Sequence, residues 1–364
     1  MNIDFHYGVI FAVARIAGLP RTDAQVVAHA CQYVDDATTD GVLLFADGER
    51  YTRVATAHRM LDFKTLSRAD SSQVWVPFHF FPAGVGATID DKAVCRPDSA
   101  PVRDMVRCVL ADRAAPNALH RLGVALHTYV DTWAHQNFSG VPSELNIVRG
   151  LVSEDGTHAG WLEEVRYGFR HLESTVLDQL FDSTAGFHGG ALVGHGAALT
   201  YPDRPWAVWH YDNGRGERVH RDNLPDFIAA ADHACRVLRA AASAPAGDPF
   251  DLPGLSPGQQ AALKTLLGGN RDEDPDRRLA AFAAALADGR IPGVRETLPP
   301  YVAKGRDSWK HLATGLLSDD DGHVPPKWTP AFEDSHYRLF HDGVRHARLA
   351  ITTDILPRHG MRLS

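Results

Sequence analysis

The sequence has no CxxC pair, few lysines and no long apolar run. Its four cysteines, Cys31, Cys95, Cys108 and Cys235, are scattered, which argues against a thiolate zinc site and against a disulfide framework. No stretch approaches the roughly 20 apolar residues that a bilayer-spanning helix needs. The opening MNIDFHYG lacks the basic start and apolar run of a secretory signal, so the chain reads as cytoplasmic. Only six of the 37 basic residues are lysine and the formal net charge is −8. A broad nucleic-acid surface is therefore not expected.

What the sequence does have is histidine, 20 in 364 residues, and strong helical patterning. Periodicity and breaker residues predict helices over 7–17, 22–36, 48–62, 98–112, 116–138, 158–182 and 222–242. Shorter helices follow over 257–268, 275–288 and 305–317, and a long one over 330–356. The aromatic, proline-broken run 74–82 reads as an extended loop or edge strand. Residues 184–222 read as a long irregular loop region, with a strand candidate over 206–211. The fold class expected is mainly α, a single large helical domain. Its metal-binding core would span 1–242, a linker and small helical insertion 243–329, and a C-terminal helix packing back on the core 330–364.

The segment 118–138 reads ALHRLGVALHTYVDTWAHQNF. On one helix His127, Asp131 and His135 fall within about 80° of one another, and His120 lies two turns earlier on the same stripe. A solvated face of His–Asp pairs is the competing account, but such pairs are worth only about 0.2–0.5 kcal/mol each. The stripe is bordered by Leu119, Val124, Trp133 and Phe138, so the helix has no cleaner apolar side to bury. An inward polar stripe is costly unless paired or metal-bound. Histidine with carboxylate suits zinc first, with iron or manganese as alternatives. One helix supplies at most two or three ligands to one ion, so others must come from elsewhere. His6 at the N-terminus, the pair Asp35 and Asp36 ending an apolar helix, and His79 inside VPFHFFP are the candidates.

This order of residues, with Leu122-Gly123-Val124-Ala125-Leu126-His127 followed by Asp131, resembles the zinc-dependent phospholipases C of bacteria and the related single-strand nucleases. The resemblance implies an all-helical fold holding a three-zinc cluster that cleaves phosphodiester bonds. It also implies His6, Asp35 or Asp36, His79, His127, Asp131 and His135 as ligands, with Asp35 or Asp36 orienting or deprotonating the attacking water. Three departures stand out. The last histidine falls four residues after the aspartate rather than six, where Asn137 stands. The chain opens with Met1 where those enzymes present a mature N-terminal tryptophan. Glu144 is the nearest candidate for their final glutamate. His120, His195 or Asp4 could rebuild a missing position, and His188 with His195 lies on a glycine-rich loop. Over nearly its full length the chain also resembles an uncharacterised bacterial family (domain of unknown function 6765), whose members carry phrases like MNIDFHYG, QYVDDAT, VPFHF and DTWAHQ.

The expected function is metal-dependent hydrolysis of a phosphate ester or phosphodiester, on a small molecule or lipid headgroup, by a metal-activated water with two or three zinc ions. Arg53, Arg59, Arg96 or Arg103 could contact the phosphate. Two alternatives stand beside it: a structural or degenerate metal site in a binding or scaffold protein, and a histidine-aspartate phosphohydrolase built on His341-Asp342.

Overall fold

The computed structural model describes residues 1–57, 71–154, 193–245, 247–317 and 324–362. Helices dominate. At the centre is α4 (Ala118–Ala134), buried continuously from His120 to Ala134. Around it pack α2 (Arg21–Asp36), α3 (Ala100–Ala111), α5 (Asn223–Ser243) and α9 (His336–Ala350). A helix apolar and small-residue-rich on all sides is stable only where neighbours cover every face. Helix α1 (Ile10–Ile16) is entered through a wide π-type turn, Asp4–Val9, all six residues of which are buried. Among the described residues no helix is long and apolar enough to cross a membrane.

Two glycines decide how closely the layers meet. A Cβ on Gly123 would lie 2.5 Å from the Val27 carbonyl oxygen and 2.6 Å from the Ala30 Cβ. Only glycine lets α4 approach α2 this closely, and the approach brings His127, one turn on, against the backbone of Cys31. Gly194, at φ +67°, sits where a Cβ would lie 2.2 Å from Phe80 Cζ, and its N–H donates to the Ser139 carbonyl (2.8 Å). That pins the backbone next to His195.

Several expectations fail locally. Over 48–57 the expected helix gives way to an antiparallel hairpin of β1 (Gly41–Leu44) and β2 (Arg50–Arg53), and the rest of that expected helix, 58–62, lies outside the described residues. The hairpin turn carries Asp47-Gly48, with Gly48 at φ +94°, and β2 alternates exposed and buried residues, the period of a strand. The run 74–82, expected to be extended, is instead a helical turn, Ser71–Trp75 continuing as Val76–Phe78. Pro77 lies in this last short piece, which ends one residue later at Phe78. Val76, Phe78 and Phe81 are buried in the main core, so tertiary packing overrides β-propensity; extended pairing survives only as a Pro82–Cys95 bridge. In the described part of 184–222 the irregular reading holds for 193–207, and the strand expected over 206–211 forms as part of a three-stranded antiparallel sheet. Its order is β3 (Arg149–Ser153), β4 (Val208–Asp212), β5 (Arg218–Asp222), and it covers a second cluster of Phe80, Phe138, Tyr201, Trp209 and Tyr211. The expected helix 158–182 lies outside the described residues.

After α5 come α6 (Pro257–Gly269), α7 (Pro275–Ala287) and the short α8 (Trp309–Thr314). Leu263, Leu267, Phe282 and Leu286 share the core with Phe5 and Phe11, and Arg278 on α7 pairs with buried Asp4 at 2.8 and 3.1 Å.

Candidate metal centre

Helix α4 stops at Ala134, earlier than its pattern suggests. Asn137 takes a left-handed φ of +73°, and the buried Arg221 guanidinium donates to the Trp133, Ala134 and Gln136 carbonyls at 3.0–3.3 Å. The Ala134 and Gln136 oxygens would otherwise lack partners at a helix end, while the Trp133 oxygen also accepts from Gln136 Nε2 (2.9 Å). His135 is therefore the cap residue, its N–H still donating to the Asp131 carbonyl (2.8 Å).

Four imidazoles then share one construction, each with one ring nitrogen against a carbonyl oxygen. His127 Nδ1 meets Cys31 O (2.8 Å), His79 Nε2 meets Thr56 O (2.9 Å), His135 Nδ1 meets His79 O (2.8 Å) and His195 Nδ1 meets Leu199 O (2.9 Å). A carbonyl only accepts, so each of these nitrogens carries its proton. In the neutral ring the other nitrogen is then a bare lone pair.

Those lone pairs converge on carboxylates and on one another. His127 Nε2 lies 3.2 Å from His79 Nδ1, 3.2 Å from Asp131 Oδ2 and 3.6 Å from Asp35 Oδ1. His79 Nδ1 is 3.5 Å from the same Asp131 oxygen and 3.8 Å from Asp35. A proton can bridge one such pair but cannot serve all four acceptors at once. A cation can: zinc bonded to nitrogen at about 2.0–2.1 Å in a tetrahedron sets its ligands roughly 3.3 Å apart. Asp131 Oδ2 is buried without a hydrogen-bond partner, as a ligand oxygen would be.

A second group lies beside the first. His135 Nε2 is 3.3 Å from Asp203 Oδ1 and His195 Nε2 is 3.6 Å from Asp203 Oδ2. Asp203 rides on the turn Tyr201–Asp203. Buried Asn223 holds that turn by donating to the Tyr201 and Arg204 carbonyls (2.7 and 2.8 Å). A third group uses the other Asp131 oxygen: Oδ1 lies 2.7 Å from the Met1 amino nitrogen and 3.2 Å from His6 Nε2. The same amine is 3.1 Å from Asp203. His6 stacks on His127 with centroids 4.0 Å apart, and its Nδ1 faces Cys31 Sγ at 3.6 Å. Ligand atoms of His6, Cys31 and His127, of Asp35, His79 and His127, and of His135, His195 and Asp203 each gather within 4.8 Å.

The electrostatics of His6, His195 and Asp131 suit ligation, whereas the Met1 amine is held as an ammonium ion. Burial holds His6 well below the usual imidazole range, with His127 adding to the effect. Burial brings His195 down to about 4, against the pull of Asp203, so both rings are neutral at pH 7. Burial alone would raise the Asp131 carboxyl, but His135, the Met1 amine and His127 outweigh it and hold the carboxyl far below its normal value. Burial alone would lower the Met1 amine, and Asp131 with Asp203 raises it to about 11.

Of the residues singled out from sequence, His6, Asp35, His79, His127, Asp131, His135 and His195 are brought together. Asp36 is not: its Oδ2 accepts from Tyr301 (2.6 Å) and Gln32 (3.2 Å). His120 turns to His336 (2.9 Å) and the edge of Trp309. Asp4 is taken by Arg278, and Glu144 is exposed and paired with Arg215. His341 meets Val54 O (3.1 Å), while Asp342 accepts from Tyr51 and Arg345; the dipeptide does not converge on a site. Arg53 donates to the Gly41 and Asp40 carbonyls and Arg103 pairs with Asp98. His188 and Arg59 lie outside the described residues. Sequence reasoning missed Asp203, Cys31 and the Met1 amine. Asp203 follows a Tyr-Pro turn start eight residues after His195, a weak signal but the one present.

The family model described as "Family of unknown function (DUF6765)" matches residues 1–355, and the chain belongs to that family. No curated protein and no solved structure matches it.

Proposed function

We propose that this member of the DUF6765 family is a metal-dependent hydrolase of phosphate esters or phosphodiesters, binding two or three zinc ions between α2, α4 and the 195–203 segment. The observation that supports it most is the convergence of His79 Nδ1, His127 Nε2, Asp35 Oδ1 and Asp131 Oδ2 at 3.2–3.8 Å with no proton available to all four. Zinc held there would supply Lewis acidity, a source of hydroxide near neutral pH and of neutralising charge for phosphoryl oxygens.

The chain's own residues divide the remaining work. The carbonyl anchors fix each imidazole's tautomer and direction, which sharpens ligand geometry and basicity. Asp131, with one oxygen toward each of two groups, ties them into a single centre. Asp35 (33% exposed), His195 (18%) and Asp203 (13%) are the members open to solvent, and a substrate would enter on their side. An open face distinguishes a catalytic centre from a closed structural one, which favours hydrolysis over a purely structural role. The likeness to zinc-dependent phospholipases C rests on the same residues, and on that reading Asp203 would take the part first given to Glu144.

Elemental analysis together with a panel of phosphodiesters and phosphomonoesters tests this. The expected result is two or three zinc per chain and zinc-dependent turnover of at least one phosphate ester. A folded protein that is metal-free and indifferent to chelator would sink the proposal.

A further inference from the structure

Asp35 offers two oxygens, and only Oδ1 faces His79 and His127. Its Oδ2 is met by Gln32 Nε2, one turn back on α2, at 3.5 Å. The same amide nitrogen lies 3.2 Å from Asp36 Oδ2, which also accepts from the Tyr301 hydroxyl at 2.6 Å. Tyr301 comes from the segment after α7. Its ring is held between those of Tyr7 and His29, with centroids 5.2 and 4.6 Å away, and the Tyr7 hydroxyl fastens the same segment by donating to the Pro299 carbonyl (2.9 Å).

The Gln32 amide can face only one way. Turned over, its oxygen would meet two carboxylates. In the orientation it takes, Oε1 is buried without a hydrogen-bond partner. A buried acceptor left unpaired is unfavourable and uncommon, so the donor end must be what the arrangement preserves.

We infer that Tyr301, Asp36 and Gln32 form a hydrogen-bonded chain that positions Asp35 as a metal ligand, with Asp36 a positioning residue outside the ligand set. The chain couples the C-terminal half of the protein to the most exposed ligand of the centre. Outer hydrogen bonds of this kind orient a ligating carboxylate, and their loss typically weakens metal binding about 10–100-fold. The inference rests on the metal reading above.

The test titrates chelator-treated full-length protein with zinc alone, and then with cobalt(II) while recording its visible absorption. Wild type, Asp35→Ala, Gln32→Leu and Tyr301→Phe are compared. Asp35→Ala should lose one equivalent outright. Gln32→Leu should keep every equivalent but bind one of them about 10–100-fold more weakly, with a shifted cobalt band. Tyr301→Phe, which removes a single oxygen and is the variant least able to harm folding, should move in the same direction by less. Unchanged affinity and cobalt spectrum in both variants, with wild type binding zinc, would overturn this inference alone. So would a loss of metal-free thermal stability that weakens all equivalents together. A wild type that takes up no zinc would overturn the metal reading and this one with it.

Discussion

Replacing Asp131 by asparagine keeps the side chain's shape and removes its charge, and the consequences can be worked from its surroundings. Asp131 is 1% exposed, with its oxygens 2.7 Å from the Met1 amine and 3.2–3.5 Å from His6, His79, His127 and His135. Without metal, the change leaves the buried Met1 ammonium with Asp203 as its one ion-pair carboxylate among the described residues. Breaking a buried pair from one side costs about 3–5 kcal/mol. With zinc the effect is larger in kind. Each ion bound only by the folded state adds roughly 4 kcal/mol at a thousand times its Kd. Asparagine would weaken both groups that share Asp131 and leave the His135–His195–Asp203 group. Urea unfolding with and without zinc, beside elemental analysis, reads both effects. The variant should lose zinc, retaining at most the ion of the second group, and most of the zinc-dependent stabilisation should vanish. An Asp131→Asn protein with full zinc content and a wild-type zinc increment would refute the reasoning.

Three further outcomes follow from the packing. Gly123→Ala forces a methyl to within 2.5 Å of the Val27 carbonyl oxygen; the separation of α2 and α4 should cost about 1–3 kcal/mol in urea unfolding and weaken zinc binding, because the His127 anchor on Cys31 moves. Burial brings His29 and His120 down to about 3, with His336 adding to both. Their folded pKa lies below the unfolded value near 6.5, so the unfolded state binds more protons in that interval. Stability should be complete above pH 6.5 and fall toward pH 3 by up to about 1.4 kcal/mol per pH unit for each group. His29→Phe should flatten that slope in pH-dependent melting, and an unaltered slope would contradict it. His341→Ala should destabilise the protein, since the ring is 2% exposed and bonded to Val54, yet leave zinc content unchanged; zinc loss there would favour the histidine-aspartate reading.

The helical character and the heart of the centre were legible in the sequence because both depend on local periodicity. His127 and Asp131 share a helix face by spacing alone, and α2, α3, α4, α5 and α9 announce themselves by their apolar repeats. The same rule misjudged His120: it lies on the stripe, but seven residues at 1.5 Å per residue put it about 10 Å along the axis, where it meets His336 and Trp309 instead. His135 shares that face by the same four-residue step, but the atom it presents is set by packing. The left-handed Asn137 ends α4 early, and the cap position turns the ring to the His79 carbonyl. Asp203 has no periodic partner at all and reaches the site because Asn223, twenty residues on, pins its turn. Between Asp35 and Asp36, adjacent and chemically alike, only three-dimensional packing decides, since neighbouring positions on a helix end point about 100° apart. The sequence alone thus determined which residue types and which helix could bind metal. The tertiary structure decided which atoms meet, because carbonyl anchors, a close glycine contact and loop turns set directions that no linear spacing encodes.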